Sequence, residues 1–399
     1  MNRIGILTFH RSVNNGAVMQ AYSLSKRIAS DFPHCSVNII DYNLPSVEKS
    51  YQASLGSYFR GASGSAFLKR GIMLVLDPMQ FSRIQKKREV FRTAIKQLPL
   101  SEHEIIQENT DDLKIYINQN YDLLIVGSDA VWNYNSIGFP NAYIPDLDVK
   151  ATKLSYAASC YGMNFQNIDA KEKEQICCRL DQFKFIGVRD TATEQFVKWT
   201  GTKIEPIHTC DPTVLLDIND LPIHIDTLND KLRKRGYDFS KPTIGIMGNN
   251  HMLAMIRRMF GSQYQIVSLF NYLKGADVQL YDLNPFEWAY VFRLFKLTFT
   301  TYFHGTLLSL KNGVPVICIA LNTEFAKYHD PKTLDLLKRL GKQNWYFQTD
   351  YHDNKVDIIK STAVELINHN LRDEILQALD IESNSYSAFY NSLKKEIDV

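Results

Sequence analysis

The sequence predicts an α/β protein made of two Rossmann-like domains with a cleft between them. Three observations carry that expectation. Short runs that are apolar at nearly every position recur along the chain: DLLIV at 122–126, FIGVR at 185–189 and TIGIM at 243–247. Strands apolar on both faces belong in a parallel sheet covered by helices. The chain opens with strand, helix, strand, the order of a right-handed parallel unit. Its 399 residues exceed one ordinary core, and the pattern restarts after a polar stretch.

The elements follow in order. Residues 4–9 read as a buried strand and 11–16 as a polar turn. A helix then carries Val18, Ala21, Tyr22, Leu24 and Ile28 near helical spacing. VNIIDY at 37–42 is the second strand. Residues 43–80 are irregular, with Gly56, Gly61, Gly64 and Gly71 among serines. The helix expected at 81–96 bears Arg83, Lys86, Lys87, Arg88 and Arg92. It reads either as a solvated helix or as a flap over the acceptor side of the cleft that touches substrate or an anionic membrane surface. Strands at 122–126, 154–158 and 185–189 complete the first half, which Asp211-Pro212-Thr213 closes.

The polar residues 217–242 read as a linker, so the domains are expected at 1–216 and 243–370, with a C-terminal helix at 371–399. In the second half, strands at 243–247, 265–270, 297–302 and 314–319 are predicted. The first is followed by a helix with Met252, Met255, Ile256 and Met259, and the last two are separated by a short helix at 305–311. Ligands of such sheets bind in the crevice at the carboxyl ends of the strands.

Composition narrows the function. Apolar residues make up 45% and charged residues 22%, with 45 basic against 43 acidic side chains and a net charge of +2. This is the make-up of an ordinary globular protein and gives no electrostatic footprint for nucleic acid. The six cysteines form no C-x-x-C pair, so neither a zinc site nor a disulfide framework is expected. No secretory signal pattern opens the chain, and no apolar run approaches the roughly 18 residues that span a bilayer. A cytoplasmic location is expected, with peripheral contact at the inner membrane face as the alternative the basic helix raises. The G-x-G-x-x-G fingerprint, the P-loop and the G-x-S-x-G elbow are all missing.

Four strand-to-helix corners carry polar residues instead. In TTYFHGTLLSLKNGVP, Tyr302 ends a strand and His304 sits at the junction. There the free amides of a helix N-terminus suit an anion, Gly305 lets the backbone approach, and Thr306 adds a hydroxyl. A histidine at a helix cap is the plainer reading. In IVGSDAVWN, Gly127 and Ser128 expose amides, Asp129 supplies a carboxylate and Trp132 offers a stacking face; an N-cap aspartate before a core tryptophan is the alternative. In FIGVRD, Arg189 either grips a carboxylate or phosphate bidentately or forms a structural pair with Asp190. In VNNGAVMQAY, Asn14, Asn15 and Gln20, with Gly16 between, offer hydrogen bonds to sugar hydroxyls or simple turn chemistry.

Taken together, ILTFHRSVNNGAVMQAYSL, DLLIVGSDAVWN, SYAASCYG, FIGVRD, CDPTVLL and NPFEWAYVFRLFKLTFTTYFHGTLLSLKNGVPVI resemble, in the same order, blocks of the polysaccharide pyruvyl transferase family. The resemblance implies a fold similar to the GT-B glycosyltransferases, with the acceptor on the N-terminal domain and the donor on the C-terminal one. It implies transfer of pyruvate from phosphoenolpyruvate onto two hydroxyls of a sugar, as a cyclic ketal, with no metal or cofactor. The acceptor would be an exopolysaccharide or capsule sugar or its lipid-linked oligosaccharide precursor. Arg189 and His304 match the positions expected to hold phosphoenolpyruvate and assist chemistry, and Lys327 falls near a basic position of some members. Many members carry arginine two residues before the histidine, where this chain has Tyr302. A histidine suits protonation of the donor methylene, and Asp129 is the candidate to accept the sugar proton. Two alternatives stand beside this reading. One is a glycosyltransferase with a nucleotide-sugar donor, its ribose held by Glu287. The other is a sugar-binding relative without catalysis.

Overall fold

The computed structural model describes residues 2–43, 64–65, 79–106, 110–320, 330–349 and 355–398. β1 (Arg3–Leu7), α1 (Asn15–Asp31) and β2 (Ser36–Ile39) form the opening parallel unit. The four residues after Arg3 in β1 are all buried, as a central strand requires. Asn14 caps α1, its side chain accepting from the Gly16 amide, and the apolar stripe from Val18 to Ile28 faces inward. The short strands β3 (Tyr42–Asn43) and β4 (Ile105–Ile106) pair apart from the main sheet, with α2 (Gln80–Ile95) between them in sequence.

The rest of the first domain alternates helix and strand: α3 (Asp111–Asn120), β5 (Leu123–Val126), the one-turn α4 (Tyr134–Ile137), β6 (Thr152–Ala158), α5 (Ala170–Leu180), β7 (Phe183–Val188), α6 (Thr191–Thr200) and β8 (Pro206–His208). Six strands form one parallel sheet in the order β2-β1-β5-β6-β7-β8. The second domain repeats the plan with β9 (Thr243–Met247), α8 (Asn250–Phe260), β10 (Gln265–Leu269), β11 (Val278–Leu280), α9 (Pro285–Val291), β12 (Leu297–Thr300), α10 (Phe303–Lys311), β13 (Val316–Ala320), α11 (Lys332–Arg339) and β14 (Tyr346–Gln348). α7 (Ile225–Lys234) precedes it. Its sheet is also parallel, in the order β11-β10-β9-β12-β13-β14. In both sheets the chain first winds outward and then returns to the other side of the starting strand. The reversal lies between β1 and β5 in one sheet and between β9 and β12 in the other. Such switch points leave crevices at the carboxyl ends of the strands.

Residues 217–242, expected as a polar linker, contain α7, whose Leu228 and Leu232 are buried. The expected C-terminal helix follows α12 (Lys355–Asn368) and is two helices, α13 (Arg372–Ser383) and α14 (Tyr386–Ile397). The second returns to the first domain. Phe389 lies edge-on to Tyr156 at 4.8 Å and Phe185 at 5.8 Å. The Tyr386 hydroxyl donates to Asp31 (2.7 Å), and the Asn2 amide donates to the Ile397 carbonyl (2.9 Å). The two domain crossings lie side by side, where the Cys210 amide donates to Ser385 Oγ at 2.8 Å.

Three of the five cations of the basic helix α2 find partners in the second domain. Lys86 pairs with buried Asp282 at 2.9 Å, Lys87 donates to the Phe270 carbonyl at 3.0 Å, and Arg83 stacks over Tyr272 at 4.0 Å. All three contacts are with the second domain, although the Lys86 side chain keeps about half of its surface in water. The irregular stretch before α2 lies almost wholly outside the described residues. Among the described residues, no helix is long and apolar enough to cross a membrane.

Candidate active site

The switch points of the two sheets meet at α1 and α10. After β12 the chain turns on Thr300, whose hydroxyl accepts from the Tyr302 amide (2.9 Å), and α10 begins at Phe303 with no side-chain cap. His304 stands in its first turn, and the ring lies directly on Gly16 of α1. A Cβ at Gly16 would fall 2.0 Å from His304 Nδ1. Only glycine lets the two domains close to this distance.

Behind the histidine lies a buried charge network. His304 Nε2 is 3.6 Å from Asp211 Oδ2. The same carboxylate oxygen accepts from Gln20 Nε2 (2.5 Å) and Arg189 Nη1 (3.0 Å), while Oδ1 accepts from the Thr213 amide and hydroxyl. Burial alone would raise the Asp211 carboxyl; His304, Arg189 and the Thr213 hydroxyl outweigh it and hold the group below the usual carboxylate range. Arg189, at the end of β7, is 1% exposed and also lies 3.9 Å from both Asp129 and Asp190. Asp190 is itself occupied, capping α6 through Thr193 and accepting from Ser159. Among the described residues, Arg189 Nε and Nη2, His304 Nε2, Gln20 Oε1, Asn15 Oδ1 and Ser128 Oγ have no hydrogen-bond partner. Buried polar atoms are rarely left so, which makes this cluster the candidate site.

A cavity of about 240 Å³ opens in front of the network, lined by Asn14, Asn15, Gly16, Tyr302 and His304, with Val13, Met247, Phe270, Trp288, Phe303 and Lys332 completing the wall. Lys332, in the first turn of α11, has its Nζ 5.0 Å from the Tyr161 ring and 5.5 Å from that of Phe303. Burial and then the nearby Arg189 charge push its amine below the ordinary lysine value. The loop that brings Asn14 and Asn15 here is braced from behind. Buried His10 contacts Asp41 at 2.8 Å, and Arg11 grips the same carboxylate with two bonds of 2.6 Å.

The structure thus brings Asn14, Asn15, Gly16, Tyr302 and His304 together in the cavity, with Gln20, Arg189 and Asp129 around the network behind it. Several expected roles are corrected. Trp132 is fully buried and donates to the Tyr143 carbonyl (2.8 Å), so it has no face for a sugar. Glu287 closes a capping box with Asn284 and pairs with Lys231 at 2.8 Å, which occupies its carboxylate. Gly305 allows close packing rather than ligand approach, since its Cβ would meet Thr300 Oγ1 at 2.5 Å. The Thr306 hydroxyl bonds the Tyr302 carbonyl and Cys318. Gly127 is required by the neighbouring strand: its φ is +115° and a Cβ would fall 2.2 Å from the Tyr156 carbonyl oxygen. Ser128 is buried beside it, its carbonyl accepting from Thr8. Lys327 lies outside the described residues.

Sequence reasoning missed Asp211 and Lys332. Asp211 had a signal in the CDPTVLL block, but its partners lie far off in sequence. Lys332 follows a proline at the start of an amphipathic helix, on which Leu336 and Leu337 are buried, and only the fold turns it toward Arg189.

A family model described as polysaccharide pyruvyl transferase matches residues 14–323. The structure is similar to UDP-GlcNAc 2-epimerase from Neisseria meningitidis, solved bound to UDP-GlcNAc, with TM-score 0.53, 9% identity, and 99% of this chain and 100% of that one covered. It is also similar to a putative UDP-N-acetylglucosamine 2-epimerase from Listeria monocytogenes, with TM-score 0.55, 11% identity, and 99% and 96% covered. A third is the UDP-GlcNAc 2-epimerase from Methanocaldococcus jannaschii, with TM-score 0.51, 10% identity, and 96% and 99% covered. At such identities the likeness is one of fold, the two-domain GT-B architecture. No curated protein matches the chain by sequence.

Proposed function

Since the chain belongs to the polysaccharide pyruvyl transferase family and is thereby a transferase, we propose that it moves pyruvate from phosphoenolpyruvate onto two hydroxyls of one sugar of a polysaccharide or its lipid-linked precursor. The observation that carries this reading is the cavity. At about 240 Å³ it is smaller than the roughly 300–1,000 Å³ that hold drug-sized ligands. A three-carbon phosphoester suits it better than a whole nucleotide sugar. Its cations match as well: Lys332 in the wall and Arg189 behind it offset the charge of a phosphate and a carboxylate. Lys332 takes the part that arginine plays in relatives where this chain has Tyr302. The nucleotide-sugar alternative loses support because the Glu287 carboxylate is engaged by Lys231 and the Asn284 amide.

In this mechanism His304 gives its proton to the methylene carbon of the donor, which becomes a methyl group. The first sugar hydroxyl adds to the central carbon and yields its proton to a carboxylate. Asp129 is the candidate, being the most exposed of the three around Arg189, at 8% against 4% for Asp190 and 3% for Asp211. The second hydroxyl then displaces inorganic phosphate and closes the ketal. Asp211, its Oδ2 3.6 Å from His304 Nε2, balances the charge of the protonated imidazole.

The test is to incubate the purified chain with phosphoenolpyruvate and a panel of hexose and N-acetylhexosamine glycosides. Phosphate release and a mass gain of one pyruvate less water in the acceptor are read together. His304→Ala is expected to lower kcat by about 10²–10⁴ with an unchanged melting temperature. Turnover of a nucleotide sugar with none of phosphoenolpyruvate would replace this reading with glycosyl transfer.

A further inference from the structure

α2 is anchored to both domains. Its C-terminal end runs into residues that pair with β2: the Ile39 amide donates to the Pro99 carbonyl and the Ser101 amide to the Ile39 carbonyl, each at 2.8 Å. Its N-terminal half reaches the second domain through Arg83, Lys86 and Lys87. The residue that Lys87 meets is a wall of the cavity. Lys87 Nζ donates to the Phe270 carbonyl at 3.0 Å and lies 2.9 Å above the centre of its ring. Burial pushes the Lys87 amine down to about 7, as expected for a group taken out of water.

Phe270 occupies the left-handed region with φ +70°, which a bulky residue keeps only when its surroundings over-determine it. Its ring stands edge-on to Tyr302 at 6.1 Å, and the next residue, Asn271, donates to the Tyr302 hydroxyl at 3.1 Å. Both Phe270 and Tyr302 line the cavity, and His304 follows Tyr302 by two residues.

We propose that Lys87 is a positioning residue: by holding the Phe270–Asn271 corner it fixes Tyr302 and the cavity wall, so that the donor site is complete only with α2 laid across both domains. The inference rests on the donor reading for its effect on transfer, but its structural part does not. The cation–π contact and the carbonyl bond together need a terminal amino or guanidinium group at this position, so Lys87→Arg keeps the function and Lys87→Met loses it.

Two measurements on the full chain separate the possibilities. Hydrogen exchange in the free protein is expected to quicken over 270–273 and 302–304 in Lys87→Met, and not in Lys87→Arg. Calorimetric titration with phosphoenolpyruvate is expected to show about tenfold weaker binding in Lys87→Met, the scale of one lost hydrogen bond to a charged group. The Michaelis constant should rise more than kcat falls. Unchanged exchange over both segments in Lys87→Met overturns the inference, whatever the donor. Wild-type protein that binds no phosphoenolpyruvate overturns the donor reading, and the exchange data then decide the role of Lys87 alone. Quicker exchange across the whole chain, with a lowered melting temperature in both variants, also overturns it, because it makes Lys87 a general stability residue.

Discussion

At the scale of single residues, the contact between Gly16 and His304 sets the geometry of the site. A methyl group at residue 16 would stand 2.0 Å from Nδ1, so the histidine must move or the domains must part. Gly16→Ala is expected to lower kcat by about tenfold or more, since displacement of a reacting group by an ångström is costly in rate. Its stability should fall by the roughly 1–3 kcal/mol that overpacking costs; equal turnover would show that the ring is free to move aside. Asp211→Asn tests the network behind. It leaves the buried Arg189 without its closest counter-charge, a loss of about 3–5 kcal/mol that denaturant melts at neutral pH will read. The sign with pH follows from the lowered carboxyl. A carboxylate depressed on folding contributes stability above its unfolded value of about 3.9, and that contribution fades as pH falls through the lower folded value. The wild type should therefore lose its advantage over Asp211→Asn below about pH 4, and a constant gap down to strongly acid pH would contradict the network. Arg189 was legible because it directly follows an apolar strand, and His304 because it stands at the corner between an apolar strand and the helix after it. Asp211 was not, since β8 before it has only three residues and its partner Gln20 lies 191 positions away.

At the scale of elements, the inner strands and the edge strand β2 were legible, and the other outer strands were not. β5 and β9 are buried along their whole length and read as continuous apolar runs. β8, β11 and β14, three residues each, are too short to carry a period. α2 was legible as a helix, but its pattern of cations did not reveal that the second domain would receive them. Among the last helices, α14 offers the sharpest test. Phe389 is fully buried between Tyr156 and Phe185 of the first domain. Phe389→Ala should cost about 3–5 kcal/mol, seen as an earlier denaturant midpoint. A change below about 1 kcal/mol, the range of exposed sites, would mean that α14 adds little to that core.

At the scale of the whole molecule, the two sheets are separate but their packing is shared. One continuous apolar cluster runs from Ile4 through Ile244 to Ile397, and the chain's last helix completes its first domain. Calorimetry should therefore show a single unfolding transition, with calorimetric and van't Hoff enthalpies agreeing. Two resolved peaks would mean that each domain holds itself. The two-domain plan itself was legible in the restart at Thr243. The return of α14 was not, because no local pattern records which domain a terminal helix will join.

The side-by-side crossings at Cys210 and Ser385 bear on how this molecule can move. A rigid body fastened to another at a single point can swivel, tilt and twist. Fastened by two neighbouring strands, it turns about one axis, as a cover turns on a spine. Any parting of the domains about that axis would carry His304 off Gly16, and α2, tied to both domains, would have to yield with it.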